Sequence, residues 1–372
     1  MQQALLDGPA QLPPTGFTSN IDHPPNSNGA AIALVVICLV VTAAAWLIRL
    51  YSRISLSRTI TVEDVFGLAA FGSYIGVAWC FISMLRVVGF FVHQYNVTVR
   101  TLLYMNYIIY LYAPLYGTTM LLAKTAILLE WARIFVPLGT RDTFYWACRI
   151  MLVVNGLIYV AAIIACALVC IPVEAQWNLW VTGKCLDRTA LYITVSSFNL
   201  TMDLFIVLLP QWVIWRLHLT QSKKIGVSVV FSLGLVALTC AAGHVYANYV
   251  LNHAIQIGDG DTTFNFSKAF FWGFSELTCV LLVFYVTAIP KVFRRNRSTD
   301  KSATGVADVR TTNGFRVRSP VWLRSISSPS GVKGYQRTND EDNAMSLTHV
   351  GLVQHDLKGQ WQHHGIARTE LQ

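Results

Sequence analysis

The sequence predicts an all-α protein, a bundle of seven transmembrane helices with a polar segment at each end. The first observation is that seven apolar stretches are each long enough to cross a bilayer, which takes about 20 residues of helix. The second is that polar residues do not recur at every third or fourth position, as they do in a soluble amphipathic helix. The third is an uneven distribution of Lys and Arg between the connections. The stretches cover residues 30–51, 62–85, 102–134, 144–169, 189–215, 225–250 and 269–290.

The Lys/Arg distribution predicts the orientation, because cytoplasmic loops carry the excess of positive charge. Residues 1–29 contain no Lys or Arg. The odd-numbered connections and the segment after the last stretch are basic, so we expect the N-terminus outside and the C-terminus in the cytoplasm. The residues concerned are Arg49, Arg53, Arg58, Arg133, Arg141, Arg216, Lys223, Lys224, Lys291, Arg294, Arg295 and Arg297.

The two ends differ from the predicted transmembrane domain, residues 30–290. Residues 1–29 are polar and contain five prolines, a composition typical of disorder. Residues 291–372 form a second predicted disordered tail. Its first part, 291–337, has eleven Lys/Arg and two acids. Anionic lipid of the inner leaflet is the simplest partner for this basic stretch, and a membrane tether makes nucleic acid a poor one. The protein is thus expected to be a multi-pass protein of the plasma membrane or an endomembrane.

Two features of the predicted outside loops invite covalent modification. Asn96 and Asn265 each begin an Asn-x-Ser/Thr glycosylation sequon. Cys170 and Cys185 lie in or beside the loop between the fourth and fifth stretches, whereas the other six cysteines lie inside apolar stretches. An oxidising compartment would let this pair form a disulfide.

Ionisable and polar residues inside the stretches are the candidates for a functional site, because such groups are costly at membrane depth. One interpretation is that they form buried pairs that hold the helices in register. The other is that they line a ligand cavity or a proton path. Asn199 and Asp203 share one face of the fifth stretch. The candidates are Lys124, Asn199, Asp203, Trp272 and Glu276, with His244 in the sixth stretch.

A tyrosine-rich segment in the third stretch is a further candidate. Tyr110 lies there with several neighbouring tyrosines, and Pro114 is expected to bend the helix. These tyrosines either line an outer vestibule for an amphipathic molecule or belong to an interfacial aromatic belt.

Several functional classes are excluded by missing residues. A microbial-type retinal pigment needs a lysine within its last helix, and residues 269–290 contain none. We therefore expect no retinal and no other cofactor. The sequence has no phosphate-binding glycine loop and no metal-spaced His/Cys cluster. It also has no sign of an internal repeat, which argues against a transporter.

In view of these residues, the chain resembles the fungal rhodopsin-domain family of seven-helix membrane proteins from about residue 30 to 295. Some members of that family are encoded in secondary-metabolite gene clusters, including the satratoxin/trichothecene type. The motifs occur in family order: Glu63-Asp64, Lys124-Thr125-Ala126-Ile127-Leu128 with Arg133-Ile134-Phe135, Cys170-Ile171-Pro172 with Trp177 and Gly183-Lys184-Cys185, Asn199-Leu200-Thr201-Met202-Asp203, and Trp272 with Glu276.

The resemblance and the buried residues together leave two functions open. The first is a receptor-like protein that binds or senses a small amphipathic molecule and is associated with a secondary-metabolite pathway. The second is a membrane-embedded accessory protein or enzyme acting on a hydrophobic metabolite, with Asp203, Glu276 and His244 as acid/base candidates. His244 stands where the family usually has an arginine. A histidine there would make its pairing pH-dependent.

Overall fold

A computed structural model describes residues 6–57, 60–136, 143–178, 180–216, 221–257 and 260–287, and the side chains of 56–57, 212–216 and 221–227 are not described. Seven long helices dominate it, and each contains most of one predicted apolar stretch. They are α1 Asn28–Tyr51, α2 Val62–Val87, α3 Val99–Phe135, α4 Thr143–Ala167, α5 Arg188–Arg216, α6 Gln221–Gln256 and α7 Thr262–Val286. The predicted tail, 291–372, lies outside the described residues.

Six of these helices are long and apolar enough to cross a membrane, so the chain is a multi-pass membrane protein. The exception is α3, whose 37 residues include Lys124, Glu130 and many tyrosines. Pro114 lies inside α3 without ending it. The all-α prediction is therefore confirmed.

The core lies around α3 and α7. The helix α3 packs against α2 and α4 and also contacts α5 and α7, while α7 packs against α6, α1, α2 and α3. In α7, 67% of the apolar membrane-span window is buried inside the bundle, compared with 22–39% of the corresponding window in the other five spans. The outer faces of α1, α4 and α5 carry exposed large apolar side chains such as Ile37, Leu157 and Phe205, as expected for surfaces that face lipid.

A short β-hairpin joins α4 to α5. Its strands, β1 Cys170–Ile171 and β2 Lys184–Cys185, are antiparallel, and Cys170 lies directly opposite Cys185. These two residues form the predicted disulfide. After β1, Trp177 packs against Tyr107 and Tyr110, so the hairpin covers the N-terminal end of α3.

The described part of the N-terminal segment, residues 6–27, contacts the connection between α2 and α3, although the composition of residues 1–29 is typical of disorder. The Ala10 amide donates to the Val97 carbonyl at 2.8 Å, and the Val99 amide donates to the Gly8 carbonyl at 3.1 Å. Asp7 pairs with Arg100 at 3.0 Å. Backbone pairing of this kind does not depend on side-chain hydrophobicity, which is why composition alone points to disorder.

The same end of the bundle holds the connection between α6 and α7. The Asp261 carboxylate accepts hydrogen bonds from the His93 ring and from the Gln94 amide. The N-terminal segment, the α2–α3 connection, the hairpin and the α6–α7 connection thus meet at one end, which we call the N-terminal end.

The opposite end is held by a cluster of four charged residues, which we call the inner cluster: Arg49, Arg53, Asp64 and Glu130. Three of them are buried, and Asp64 is partly buried. Arg49 lies 2.9 Å from both Asp64 and Glu130. Arg53 lies 3.1 Å from Asp64 and 3.4 Å from Glu130. The sequence places both arginines among the basic residues of the first connection. In the structure, Arg49 is 3% exposed and Arg53 is 6% exposed, and the two acids neutralise their charges.

The inner cluster ties four helices together. Arg49 comes from α1, Asp64 from α2 and Glu130 from α3. The Arg49 guanidinium also donates to the Phe284 carbonyl of α7 at 2.8 Å and stacks on the Phe284 ring at 3.7 Å. The Thr287 hydroxyl donates to Glu130 at 2.8 Å.

Candidate functional site

The predicted buried residues come together as one hydrogen-bonded group in the middle of the bundle. We call it the polar network, and its members are Tyr116 and Lys124 of α3, Tyr159 of α4, Asn199 and Asp203 of α5, His244 of α6 and Glu276 of α7. All seven side chains are buried. The network therefore links five helices.

Lys124 forms one half of the network. Its ammonium group lies 2.9 Å from the Asp203 carboxylate and donates to the Asn199 side-chain oxygen at 2.7 Å. A third hydrogen bond reaches the Asn199 carbonyl at 3.2 Å. The three donors of the ammonium group thus have partners, which allows it to remain charged while fully buried.

Glu276 forms the other half. One carboxylate oxygen accepts a hydrogen bond from the Asn199 amide. The other accepts from the Tyr116 hydroxyl at 2.8 Å and lies 3.0 Å from Nδ1 of His244. Asn199 therefore connects both halves, and the Tyr159 hydroxyl donates to the same Asn199 oxygen that Lys124 contacts.

The charges of the network do not balance when His244 is neutral. Lys124 supplies one positive charge against the two carboxylates of Asp203 and Glu276. A net charge buried at this depth is costly, and one additional proton brings the sum to zero. Moreover, Oδ2 of Asp203 has no hydrogen-bond partner among the described residues.

A small cavity of about 70 Å³ adjoins the network. It lies between α3, α4, α5, α6 and α7, in the half of the bundle nearer the N-terminal end. Its wall is mostly apolar, with a few polar side chains. The lining residues are Ile109, Tyr112, Ala113, Tyr116, Gly117, Ala162, Ile163, Cys166, Tyr192, Val195, Ser196, His244, Asn248, Phe266, Ala269 and Phe270.

Only part of the network faces this cavity. Tyr116 and His244 line its wall, whereas Lys124, Asn199, Asp203 and Glu276 do not. Of these four, only Glu276 is hydrogen-bonded to wall residues, namely Tyr116 and His244. A ligand-binding role of the four residues stays a prediction.

Two predicted cavity residues lie elsewhere. Tyr110 packs against Trp177, with ring centroids 5.0 Å apart, beneath the hairpin. Trp272 is 38% exposed and packs on α6, where a Cβ atom on Gly243 would lie 2.5 Å from the indole ring. Helical position alone does not distinguish these faces of α3 and α7 from the faces that carry Tyr116 and Glu276.

The two predicted glycosylation sites have buried side chains. Asn96 is 4% exposed and accepts a hydrogen bond from the Asn20 amide at 2.9 Å. Asn265 is 8% exposed, donates to the Asp261 carbonyl at 3.0 Å and accepts from Lys268. Glycosylation stays a prediction, and it requires that these amide groups leave the positions seen here.

Sequence reasoning missed two kinds of participant. Tyr159 lies one turn after Asn155 in an otherwise apolar helix, and that pair of polar residues on one face was the available signal. Asn248 lines the cavity and is not among the candidates, because a lone Asn in an apolar stretch resembles ordinary packing. Tyr112, which also lines the cavity, belongs to the tyrosine-rich segment that the sequence points to. Among the described residues, no group of three or more His, Cys, Asp or Glu side chains could hold a metal ion.

The chain is similar to several fungal proteins. It is 36% identical to "Fugralins biosynthesis cluster protein 2" of Gibberella zeae, over 98% of this chain and 91% of that protein. It is 26% identical to an Emericella nidulans "SAT4 family membrane protein", over 50% of this chain and 44% of that protein. It is 27% identical to "Wortmanamides biosynthesis cluster protein C" of Talaromyces wortmannii, over 53% of each chain. No solved structure matches.

The family assignment follows from the extent of the match. The model of the fungal rhodopsin domain covers residues 48–295, two thirds of the chain and nearly all of the helical bundle. That range contains every member of the polar network. The chain therefore belongs to the fungal rhodopsin domain family.

Proposed function

We propose that all seven helices cross the membrane, with the N-terminal end of the bundle outside and the inner cluster near the cytoplasm. The 37 residues of α3 extend about 55 Å at 1.5 Å per residue, more than enough to span a bilayer. Its charged residues Lys124 and Glu130 are neutralised by ion pairs, which supports burial within the bundle. The disulfide at the N-terminal end fits an oxidising compartment on that side.

A glycosylation scan tests this orientation. Acceptor sequons inserted into the N-terminal segment should be modified, and sequons in the predicted cytoplasmic tail, 291–372, should not. A modified tail would overturn the proposed topology. Binding of residues 291–337 to anionic inner-leaflet lipid is part of the same proposal and rests on their charge alone.

We further propose that the protein is a receptor-like binder of a small amphipathic molecule within a fungal secondary-metabolite pathway. The observation that carries this proposal is the apolar cavity with its few polar wall groups, which is the usual composition of a small-molecule site. The relatives named for biosynthesis clusters support the link to a pathway. No retinal enters the proposal, because residues 269–290 contain no lysine.

A second candidate function is enzymatic action on a hydrophobic metabolite. It is favoured by the hydrogen bond between His244 and Glu276, since a histidine that lines a cavity and is held by a carboxylate can act as a general acid or base. Asp203 is a weaker candidate than its sequence position suggests, because it does not line the cavity.

Deletion of the gene, followed by metabolite and transcript profiling, distinguishes the two candidates. A binding or sensing protein should leave the pathway chemistry intact and change transcript levels. An enzyme should leave an accumulated precursor.

A cavity-filling variant tests the role of the cavity in the same deletion strain. Complementation with Ala162→Trp, which fills the cavity from α4, should fail in both cases. Leu157→Trp on the lipid-facing side of α4 is the matched control and should restore the wild-type profile. Full complementation by Ala162→Trp would contradict a role for the cavity.

A further inference from the structure

The cavity is not enclosed equally on all sides. Its wall residues from α6 and α7 are all buried, namely His244, Asn248, Phe266, Ala269 and Phe270. The partly exposed wall residues come from α4 and α5, with one from α3: Ile163, Cys166, Tyr192, Val195 and Ala113. The wall is therefore most exposed between α4 and α5.

Two ties join α4 to α5, one on each side of this part of the wall. On the side of the polar network, the Tyr159 hydroxyl donates to the Asn199 side chain. Toward the N-terminal end, the Gln176 side chain donates to the Ala167 carbonyl at 2.9 Å, and its own carbonyl accepts from Arg188 at 3.3 Å. Between these ties, the described residues of α4 and α5 form no hydrogen bond or ion pair with each other, and the two helices contact at far fewer points than α3 and α4 do.

The interval between the ties is long and faces lipid. It covers eight residues of α4 and eleven of α5, which extend about 12 Å and about 16 Å at 1.5 Å per residue. The outer surfaces beside it are apolar, since Ile164 of α4 is 54% exposed and Phe198 of α5 is 50% exposed. In the proposed orientation, this interval lies in the outer half of the membrane, where lipid and not water surrounds the helices.

The route from water is covered by packed aromatic side chains. At the N-terminal end of α3, Trp177 of the hairpin connection packs on Tyr107 and Tyr110. Within the wall, the ring of Tyr192 packs edge-on against Phe266, with centroids 6.4 Å apart. A molecule arriving from water would have to displace these groups, whereas a molecule in the bilayer meets only the apolar surfaces of α4 and α5.

We propose that the cavity opens sideways into the outer leaflet of the bilayer, through a window between α4 and α5. The window is bounded by the Tyr159–Asn199 tie on one side and by Gln176 on the other. Its ligand is a molecule that partitions into lipid and enters the cavity without passing through water. This inference rests on the proposed binding function and orientation, and it adds the phase from which the ligand comes.

Thiol labelling inside the cavity tests the window. The full chain carrying Ser196→Cys and Cys166→Ser, in lipid nanodiscs, has one thiol on the buried α5 part of the wall. Butyl methanethiosulfonate is neutral, whereas 2-(trimethylammonium)ethyl methanethiosulfonate has a similar size and a fixed positive charge. Mass spectrometry of peptides gives the rate at each cysteine. The neutral reagent should modify the wall thiol, and the charged one should react on the order of 100-fold more slowly, because a charge is costly inside the membrane.

Two controls calibrate these rates. The variant Ile164→Cys with Cys166→Ser places a thiol on the lipid-facing surface of α4, which the neutral reagent should modify whether or not a window exists. Native Cys148 is 2% exposed and does not line the cavity, so neither reagent should modify it. In the wild type, the partly exposed Cys166 of the cavity wall should show the same preference for the neutral reagent, which provides a second reading if Ser196→Cys does not fold.

Two results would overturn the window. Equal rates of both reagents at the wall thiol of Ser196→Cys would show that the cavity opens to water. Neutral modification of Ile164→Cys without modification of Ser196→Cys would show that lipid does not reach the cavity. The binding function is tested separately by 4-fluoroacetophenone, a small amphipathic probe, which should slow labelling of Ser196→Cys and leave Ile164→Cys unaffected. Labelling through the window without such protection would contradict the binding function and leave the window standing.

Discussion

The inner cluster and the polar network are both buried groups of charged residues, yet they differ in balance and in surroundings. The inner cluster pairs two arginines with two acids, and its guanidinium groups also bind a backbone carbonyl and a hydroxyl. The polar network has one lysine for two acids, leaves an Asp203 oxygen without a partner among the described residues and borders a cavity. A balanced cluster is suited to hold helices together. An unbalanced one beside a cavity is suited to respond to a ligand.

The largest expected effect comes from breaking the inner cluster. Glu130→Gln leaves two arginines with one acid in a buried site, which should destabilise the protein by about 3–5 kcal/mol. The fall in thermal unfolding temperature in detergent micelles measures this. Arg133→Gln is the control, because Arg133 is half exposed and its 3.4 Å contact to Glu63 should contribute no more than about 1 kcal/mol. Equal losses for both variants would contradict the distinction between buried and exposed pairs.

The network should show coupling between its charges. Lys124→Met removes its lysine and leaves Asp203 and Glu276 as two buried acids, with an expected loss of about 3 kcal/mol. Adding Asp203→Asn should recover much of that loss, because the pair then contains no uncompensated charge. A double-mutant cycle by thermal unfolding measures the coupling. Additive losses would show that Lys124 and Asp203 do not act as a pair.

Two neighbouring tyrosines of α3 distinguish the role of the network from that of the cavity wall, because Tyr116 belongs to both and Tyr112 only to the wall. Tyr116→Phe removes a hydrogen bond to a carboxylate and should cost about 1.5–3 kcal/mol. Tyr112→Phe removes a hydroxyl that has no hydrogen-bond partner among the described residues, and it should leave thermal stability unchanged or slightly raised. A larger loss for Tyr112→Phe than for Tyr116→Phe would contradict this difference between the two tyrosines.

The smallest effect is expected outside both clusters, at the start of α5. Asp187 caps this helix, and the hydrogen bonds from the Ala190 amide and from Thr189 lower the pKa of its carboxyl. Its stabilisation is therefore complete above the ordinary Asp pKa and is lost as the pH falls through the lowered value. Asp187→Ala should cost about 1 kcal/mol at neutral pH and remove this acid-dependent part. An unchanged pH profile of unfolding would show that the cap is unimportant.

The positions of the helices follow from hydropathy, because only long apolar segments can bury their backbone in lipid. The lateral contacts do not follow from it. Arg49 and Arg53 count as loop charges by their place in the sequence, yet helix packing brings Asp64 and Glu130 to them. Polar residues stand out in apolar stretches, so the sequence alone points to Asn199, Asp203 and Glu276. Tyr110 and Tyr116 are equally prominent in sequence, and only the rotation of α3 decides which one faces His244.

Direct binding to the cavity is the strongest test of the proposed ligand site. A ¹⁹F NMR titration of 4-fluoroacetophenone, a small amphipathic probe, uses lipid nanodiscs that contain wild-type, Ala162→Trp or Leu157→Trp protein, with empty nanodiscs as the blank. It compares a filled cavity with an altered lipid-facing surface on the same helix. We predict that Ala162→Trp loses binding and that Leu157→Trp binds as the wild type does. Unchanged binding by Ala162→Trp would contradict the claim that the cavity beside the polar network is the ligand site.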